Sequence, residues 1–395
     1  MKRWLLCCLL WGLASSLQAQ TKAIASDKVF DKPRTEIKSD LAMPRQKNVS
    51  EDNDAGIHIV VGAERLSAYL PLLEGKNIAI VANQTSLVGG VHLVDTLLSL
   101  QDSTHYRLSA IFCPEHGFRG TAAAGALVND SFDSLTRLPV VSLYGKNKKP
   151  TAKQLEGIDL VIFDLQDVGC RFYTYISTLH YVMEACAENH IQLLLLDRPN
   201  PNAHYVDGPV LDKKYQSFVG MHPVPIVYGM TIGEYAQMIN GECWLHDSLQ
   251  CDLTIVCLSH YSHDSAYRLP VPPSPNLRTP QAIALYPSLC LFEGTTISVG
   301  RGTPYPFEVI GNDYKMDLRS VSVPAKFDLR YLQEMYQHTP KGSFFLKNNF
   351  FEKLAGTDQL RKQLQRGDSE ESIRASWEPK LSQFKLIRAK YLLYQ

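Results

Sequence analysis

The sequence predicts an α/β fold: a mostly parallel sheet with helices on both faces, followed by a smaller α+β domain at the C-terminal end. Apolar runs alternate with helical patterns through the first half of the chain. Most of these runs are continuously apolar, as expected for strands that are covered on both faces. Because strands that alternate with helices are joined by right-handed crossovers, they form a parallel sheet. After Pro201 the pattern changes to short strands, turns and a proline-rich stretch.

The individual elements follow from these patterns in chain order. Strands are predicted at residues 57–61, 77–82, 106–112, 139–143, 158–163, 191–196 and 252–258. A helix is predicted at 173–189, where apolar residues recur at helical spacing. Thr231 and Glu234 fit a capping box that opens a helix to about residue 240. Further helices are predicted at 329–337, 358–365, 369–377 and 379–394.

The ends of these elements predict how the chain is divided. Residues 1–19 combine Lys2 and Arg3 with a short apolar run and small residues near Ala19, which indicates a cleaved secretory signal with no membrane span. Residues 20–56 are polar and aperiodic, so we expect a flexible leader. A catalytic domain is predicted at 57–265. A domain that closes its cleft is predicted at 266–395, after a boundary near the proline-rich stretch 270–276.

Bulk composition limits the classes of partner. The 395 residues are 45% hydrophobic and 20% charged, as in a soluble globular protein. Lys and Arg total 40 and Asp and Glu total 40, so nothing calls for nucleic acid or an anionic membrane. The cysteines beyond the signal are odd in number, and buried free thiols are expected, although Cys243 and Cys251 could form a local disulfide.

Polar clusters follow three of the predicted strands, at the edge where ligands bind in open α/β sheets. Glu115 and His116 follow the strand at 106–112 within the string CPEHGFRG. Asp164 and Asp167 follow the strand at 158–163, and the string DRPNP follows the strand at 191–196. Three such clusters suggest a single site.

Each cluster also has a structural interpretation. Glu115 could act as a general acid if its surroundings raise its pKa, or it could cap a helix or pair with Arg119. Arg171 suits a substrate carboxylate, because a guanidinium binds carboxylates bidentately, or it could pair with an Asp to hold the loop. Tyr173 and Tyr175 could stack on a sugar ring or pack at the start of the helix.

Loop-like strings in the second half carry further polar residues, namely SPNLRTP, LFEGT and GRGTPYPFE. Their Asn276, Glu293, Arg301 and Glu308 could contact a ligand or stabilise turns. The sequence has no GxGxxG, P-loop, GxSxG or HExxH motif. Neither a cofactor nor a metal site is therefore predicted, since the acidic residues and His116 match no strong metal-ligand spacing.

Taken together, these strings resemble one family, the exo-β-N-acetylmuramidases of the NamZ type, formerly a domain of unknown function. The matching strings run in order from about Val81 to Gly311: ANQTSLV, FCPEHGFRG, LPVVSLYGKNKKPT, DLVIFDLQDVGCRFYTYISTL, LLLDRPNPN, VDGPVLD, SFVGMHPVPIVYGMTIGEYA, PPSPNLRT and YPSLCLFEGTTISVGRGTPYPFEVIG. Small departures occur at Cys113, Cys170 and Asn202, and none removes a candidate functional group.

The resemblance implies a Rossmann-like N-terminal domain, a smaller C-terminal domain and a cleft between them. It implies a glycosidase that releases N-acetylmuramic acid from the non-reducing end of peptidoglycan fragments, with the Glu of the PEHG motif, Glu115, as catalytic acid. The predicted catalytic residues are Glu115, His116 and Asp167, with Asp167 as the candidate second carboxylate. The predicted substrate-binding residues are Asn83, Gln84, Arg119, Asp164, Arg171, Tyr173, Tyr175, Arg198, Asn200, Asn276, Glu293, Arg301 and Glu308.

One Arg among Arg119, Arg171, Arg198 and Arg301 is expected to bind the lactyl carboxylate that distinguishes N-acetylmuramic acid from N-acetylglucosamine. Two alternatives stay open: a non-catalytic periplasmic protein that binds cell-wall sugars, and a metal-dependent hydrolase of a cell-wall amide or ester. The predicted partner is a peptidoglycan-derived muramyl oligosaccharide, and the location is the periplasm or outside the cell. The sequence leaves the oligomeric state open.

Overall fold

The computed structural model of the protein describes residues 58–120, 130–323, 325–340 and 342–395. The predicted signal (1–19), the predicted leader (20–56) and the first residue of the predicted strand 57–61 lie outside these described residues. Within the described ranges, no helix is both long and apolar enough to cross a membrane.

A seven-stranded sheet organises the described residues, in the order β5-β6-β4-β1-β7-β8-β9. The strands are, in chain order, β1 (Asn77–Ala82), β2 (Leu87–Val88), β3 (Val91–His92), β4 (Arg107–Cys113), β5 (Ser131–Phe132), β6 (Pro139–Ser142), β7 (Leu160–Asp164), β8 (Gln192–Leu196), β9 (Leu253–Val256), β10 (Val309–Gly311) and β11 (Lys315–Asp317). All neighbours in the large sheet are parallel except the edge strand β5. The mostly parallel sheet is thus confirmed. Strands β2–β3 and β10–β11 form separate antiparallel ribbons.

Helices cover both faces of the sheet and continue into the C-terminal part. They are α1 (Leu66–Leu73), α2 (Leu93–Thr104), α3 (Tyr175–Glu188), α4 (Ile232–Gly241), α5 (Pro280–Leu289), α6 (Arg330–Gln337), α7 (Phe350–Ala355), α8 (Gln359–Arg366) and α9 (Glu370–Arg388). The predicted capping box at α4 is present, since the Thr231 hydroxyl accepts from the Glu234 N–H at 3.2 Å and the Glu234 carboxylate accepts from the Thr231 N–H at 2.9 Å.

Alternate residues of the central strands belong to two separate hydrophobic cores. Ala79 and Val81 of β1 face the larger core, which also contains residues of α3, α4 and α5. Ile78 and Ile80 face the smaller core, together with residues of α1 and α2. Strands buried on both faces explain the unbroken apolar runs of the sequence.

Two predicted elements differ in the structure. The described part of the predicted strand 57–61, residues 58–61, forms no strand. An antiparallel bridge joins Val60 to Ser259, and the chain then enters a 3₁₀ turn at Gly62–Glu64. The two helices predicted on either side of Pro379 are one helix, α9, which contains that proline. Trp377 and Leu381, which flank Pro379, are both buried in the larger core, so packing holds the helix continuous through the proline.

The described residues from His58 onward form one compact unit. Its larger core runs without interruption from Ala79 in the sheet to Phe384 in α9. The predicted division at 265/266 stays a prediction. The cysteines of the described residues are all free, with Cys243 exposed and Cys251 buried, so these two form no disulfide.

Candidate active site

Glu115 lies on a tight turn directly after β4, at the carboxyl edge of the sheet. The Gly117 N–H donates to the Pro114 carbonyl at 3.2 Å and closes the turn. His116 and Gly117 both adopt left-handed backbone, with φ of 76° and 75°. In a residue other than glycine such a conformation costs on the order of 1–3 kcal/mol and is common at functional sites. Glu115 is half-buried and His116 is buried.

Glu115 lines a cavity with a large lobe of about 310 Å³ and a small lobe of about 70 Å³, here called the Glu115 cavity. Both lobes are lined by Glu115, Phe172, Thr174, Tyr286 and Arg301. The large lobe adds Tyr144, Phe218, Val219, Cys290, Glu293, Phe350 and Leu354, and the small lobe adds His116, Tyr173, Tyr175, Ser274, Leu277 and Phe307. The large lobe has the size of a small-molecule site.

Aromatic rings form much of the cavity wall. Tyr286 makes edge-on contacts with Phe172 and Phe307, with centroid distances of 5.4 Å and 5.1 Å. Tyr173 and Tyr175 pack edge-on at 4.7 Å. Rings locked against one another in this way offer rigid apolar surfaces. Such surfaces suit the C–H faces of a sugar ring.

Two carboxylates and one guanidinium share the large lobe. The Arg301 guanidinium donates to the Glu293 carboxylate and lies 5.7 Å from the centroid of the Phe307 ring. Burial raises the pKa of Glu293 despite the Arg301 guanidinium, and the charge of Glu115 raises it further. Burial raises the pKa of Tyr144 to about 12, and the negative charge of the Glu115 carboxylate contributes to this rise. Glu115 and Glu293 therefore form an electrostatically coupled pair in one cavity.

Asp167, the predicted second carboxylate, does not line this cavity. Its side chain is buried, where it accepts from the Gly169 N–H at 2.7 Å and from the Tyr228 hydroxyl. Burial raises the pKa of Asp167 to about 6. The charges of Asp167 and Glu115 both raise the pKa values of Tyr173 and Tyr175. Of the two carboxylates, however, Glu115 lines the cavity and Asp167 does not. The placement of Asp167 therefore differs from the prediction, because its loop turns it toward Tyr228.

Three of the four candidate arginines do not line the cavity and are held by other partners. Arg119 pairs with Asp95 and Asp133 at 3.3 Å and 3.1 Å. Arg198 makes a buried bidentate pair with Asp164, with contacts of 2.5 Å and 2.8 Å. The ion pairs of Arg119 and of Arg198 with Asp164 therefore join separate segments of the fold.

Arg171 is the third arginine, and it is fully buried. It donates to the carbonyls of Pro209 and Val224, both at 2.7 Å, and of Leu354 at 2.8 Å. Burial lowers the pKa of Arg171 to about 9. Of the four arginines, Arg301 is the one that lines the Glu115 cavity.

The remaining predicted residues divide between the cavity wall and its support. Gln84 donates to the Pro272 and Pro273 carbonyls at 3.2 Å, and the Tyr173 hydroxyl donates to Pro273 at 2.8 Å. These bonds fix the proline-rich segment beside the cavity. Asn83 donates to the Tyr175 hydroxyl at 2.7 Å and so positions a ring of the cavity wall.

Asn200, Asn276 and Glu308 lie outside the cavity lining. Asn200 is buried and donates to the Met230 carbonyl at 2.8 Å. The Asn276 N–H donates to the hydroxyl of Ser274, a lining residue, at 3.2 Å. Glu308 accepts from the Thr279 hydroxyl. These bonds join loop segments of the fold, and the predicted substrate contacts of the three residues stay predictions.

The sequence analysis did not single out Tyr144, Phe218 or Tyr286 as site residues. Tyr144 follows the end of β6, so the rule that identified Glu115 could have found it. No comparable signal marks Phe218 or Tyr286, which reach the cavity only through the tertiary fold. Among the described residues, no group of three or more His, Cys, Asp or Glu side chains is arranged to hold a metal ion.

Comparison with protein families gives two adjoining matches. Residues 78–281 match the model described as exo-beta-N-acetylmuramidase NamZ, N-terminal, and residues 284–322 and 316–394 match its C-terminal counterpart. Glu115 falls in the first match, whereas Glu293 and Arg301 fall in the second. The cavity therefore combines residues of both family segments.

Known proteins and structures agree with these matches. The chain is 38% identical over 380 residues to the peptidoglycan beta-N-acetylmuramidase NamZ of Bacillus subtilis, covering 83% of this chain and 89% of that protein. Crystal structures of two DUF1343 family proteins from Bacteroides fragilis are also similar. One has a TM-score of 0.78 and 43% identity and covers 86% of this chain and 99% of its own. The other has a TM-score of 0.74 and 29% identity, with coverage of 86% and 100%.

Proposed function

Because this chain belongs to the NamZ family of exo-β-N-acetylmuramidases, we propose that it is an exo-acting glycosidase. It releases N-acetylmuramic acid from the non-reducing end of peptidoglycan fragments. The family consists of glycoside hydrolases, in agreement with the resemblance seen in the sequence. The observation that supports the chemistry best is the Glu115 cavity, where Glu115, Glu293 and Arg301 converge between aromatic walls.

Glu115 acts as the general acid. Its carboxyl proton passes to the glycosidic oxygen as the bond from that oxygen to the anomeric carbon breaks. A water oxygen then bonds to the anomeric carbon, and the water gives up one proton to a carboxylate of the cavity, so that N-acetylmuramic acid and the shortened fragment leave. Proton transfer of this kind contributes on the order of 10²–10⁴ in rate.

Glu293 takes the role of second carboxylate that the sequence analysis gave to Asp167. Glycosidases of this general type use two carboxyl groups beside the scissile bond. Glu293 lines the large lobe with Glu115, whereas Asp167 is buried and engaged by Tyr228. The Glu293 carboxylate assists the attacking water or stabilises the positive charge that develops on the sugar ring.

Substrate recognition rests on the cavity wall. The aromatic rings of Phe172, Tyr286 and Phe307 pack against the sugar, and Arg301 is the guanidinium available to a carboxylate. The protein acts in the periplasm or outside the cell, where its substrate lies. The sequence layout of residues 1–19 supports this location.

Two disaccharides test the proposal. The purified protein is incubated with N-acetylmuramyl-β-1,4-N-acetylglucosamine or with N-acetylglucosaminyl-β-1,4-N-acetylmuramic acid, in which the two sugars are exchanged. The free sugars are then separated by chromatography and identified by mass spectrometry. We expect free N-acetylmuramic acid from the first disaccharide alone, and equal rates with and without a chelator. If neither disaccharide releases a free sugar, the result would favour a non-catalytic binding protein. Activity that is lost when a chelator is added would favour a metal-dependent hydrolase.

A further inference from the structure

The Glu293–Arg301 ion pair lies in the wall of the Glu115 cavity and is open to it. The Arg301 and Glu293 side chains are 42% and 22% exposed, whereas those of the Arg198–Asp164 pair are 2% and 0% exposed. Because the guanidinium can be reached from the cavity, another carboxylate can replace Glu293 there, and the exchange replaces one ion pair of Arg301 by another. The buried Arg198–Asp164 pair cannot exchange in this way, because opening it would strand a buried charge.

We infer that the lactyl carboxylate of the substrate displaces Glu293 from Arg301, and that the cavity then takes up the proton that Glu115 delivers to the leaving group. This inference rests on the proposed function and goes beyond it. The lactyl carboxylate of the sugar would then both bind Arg301 and promote protonation of the catalytic acid.

The charge balance of the cavity leads to this inference. Its described lining holds two carboxyl groups, Glu115 and Glu293, one guanidinium, Arg301, and one imidazole, His116. The phenol of Tyr286 and the thiol of Cys290 have pKa values raised by burial, so both are neutral near pH 7. The cavity phenols of Tyr144, Tyr173 and Tyr175 are neutral for the same reason.

A third carboxylate upsets this balance. One guanidinium would then face three carboxyl groups, and like charges that share a confined site cannot all stay ionised. Burial and the charge of Glu115 already raise the pKa of Glu293, so a further negative charge favours proton uptake in the cavity. An uncharged sugar does not displace Glu293 from Arg301, and its binding therefore causes no proton uptake. Discrimination against it should therefore appear in kcat as well as in KM.

Calorimetry measures the proton directly. N-acetylmuramic acid and N-acetylglucosamine are each titrated into the protein at the same pH in phosphate and in Tris, two buffers with different enthalpies of ionisation. We expect the binding enthalpy of N-acetylmuramic acid to differ between buffers by an amount that corresponds to proton uptake. The enthalpy of N-acetylglucosamine should be the same in both.

Four variants show which residues are responsible for the proton uptake and for the preference for the muramyl sugar. Glu293→Gln should bind N-acetylmuramic acid at least as tightly as the wild type and take up less proton, since glutamine neither competes for Arg301 nor titrates. Arg301→Met should lose about 10- to 100-fold of the preference for the muramyl over the glucosaminyl sugar. Arg319→Met is the matched control, because Arg319 is 44% exposed and pairs with Asp317 outside the cavity. His116→Asn, which suits the left-handed backbone, should keep the proton uptake.

The outcomes separate the inference from the proposed function. If the wild type releases N-acetylmuramic acid but its binding enthalpies agree between buffers, or its preference survives in Arg301→Met, the inference fails and the function stands. Loss of proton uptake in His116→Asn overturns it as well, because the proton would then reside on His116. If proton uptake is seen while no muramyl disaccharide is cleaved, the exchange stands and the proposed glycosidase activity fails.

Discussion

Replacing Asp167 by asparagine distinguishes a catalytic carboxylate from a structural one. Asp167 is buried, and its Oδ1 has no hydrogen-bond partner among the described residues. Burial raises the pKa of this carboxyl from 3.8 to about 6. A rise in pKa from 3.8 to about 6 means that ionisation of Asp167 lowers the free energy of unfolding by about 3 kcal/mol.

The sign of this coupling follows from proton binding. Between about pH 4 and pH 6 the folded state keeps the Asp167 proton while the unfolded state releases it. The stabilising contribution is therefore complete below about pH 4 and is lost as the pH rises through about 6. The asparagine side chain of the variant cannot ionise, although its amide N–H₂ lacks an evident acceptor, which costs about 1–3 kcal/mol at every pH. Asp167→Asn should thus be destabilised at about pH 4 and close to the wild type at about pH 7.

Urea unfolding of both proteins at several pH values measures this difference. The wild type should lose about 3 kcal/mol more stability than the variant between about pH 4 and pH 7. Burial raises the pKa of Asp197 to about 6 as well, so Asp197 adds the same dependence of stability on pH to both proteins. Parallel pH profiles would refute the burial argument. A folded Asp167→Asn protein with a turnover as low as that of Glu115→Gln would instead make Asp167 a catalytic residue.

Two further substitutions test the fold that positions the site. Arg171→Met should destabilise the protein by about 2 kcal/mol or more, because it removes the donor of the buried Pro209 and Leu354 carbonyls, whereas the Val224 carbonyl still accepts from the Leu211 N–H. The folded fraction should keep its turnover, and an unchanged unfolding midpoint in urea would contradict this. Gly62→Ala should destabilise the protein by at least about 1–3 kcal/mol, since the added Cβ would lie 2.5 Å from the Val256 carbonyl oxygen and 2.6 Å from the Asp197 nitrogen. A variant with wild-type thermal stability would show that the loop moves aside.

The sheet could be predicted from sequence because burial on both faces requires continuous apolar runs. The predicted strand at 77–82 has the observed bounds, Asn77–Ala82, and the other predicted strands, except the one at 57–61, agree with the structure within a few residues. Prediction failed where tertiary packing overrides a local signal. Pro379 normally interrupts a helix, yet Trp377 and Leu381 keep α9 continuous across it.

The site was predictable only in part, for a related reason. A polar residue at a strand end reaches either a ligand or a backbone carbonyl, and the two cases look alike in sequence. Glu115 lines the cavity, whereas Arg171 binds three carbonyls that come from distant parts of the chain. Glu293 and Arg301 were predicted as separate contacts, and their pairing appears only when the chain is folded.

The role of Glu115 as the catalytic acid can be tested by the dependence of Glu115→Gln activity on the leaving group. General acid catalysis matters when the leaving oxygen needs a proton, so the variant should cleave the muramyl disaccharide about 10²–10⁴ times more slowly than the wild type. It should lose far less on a dinitrophenyl muramide, whose leaving group departs without a proton. Glu293→Gln is the matched control and should be slow on both substrates. Equal losses of Glu115→Gln on the two substrates, or turnover near that of the wild type, would contradict the assignment of Glu115 as the acid.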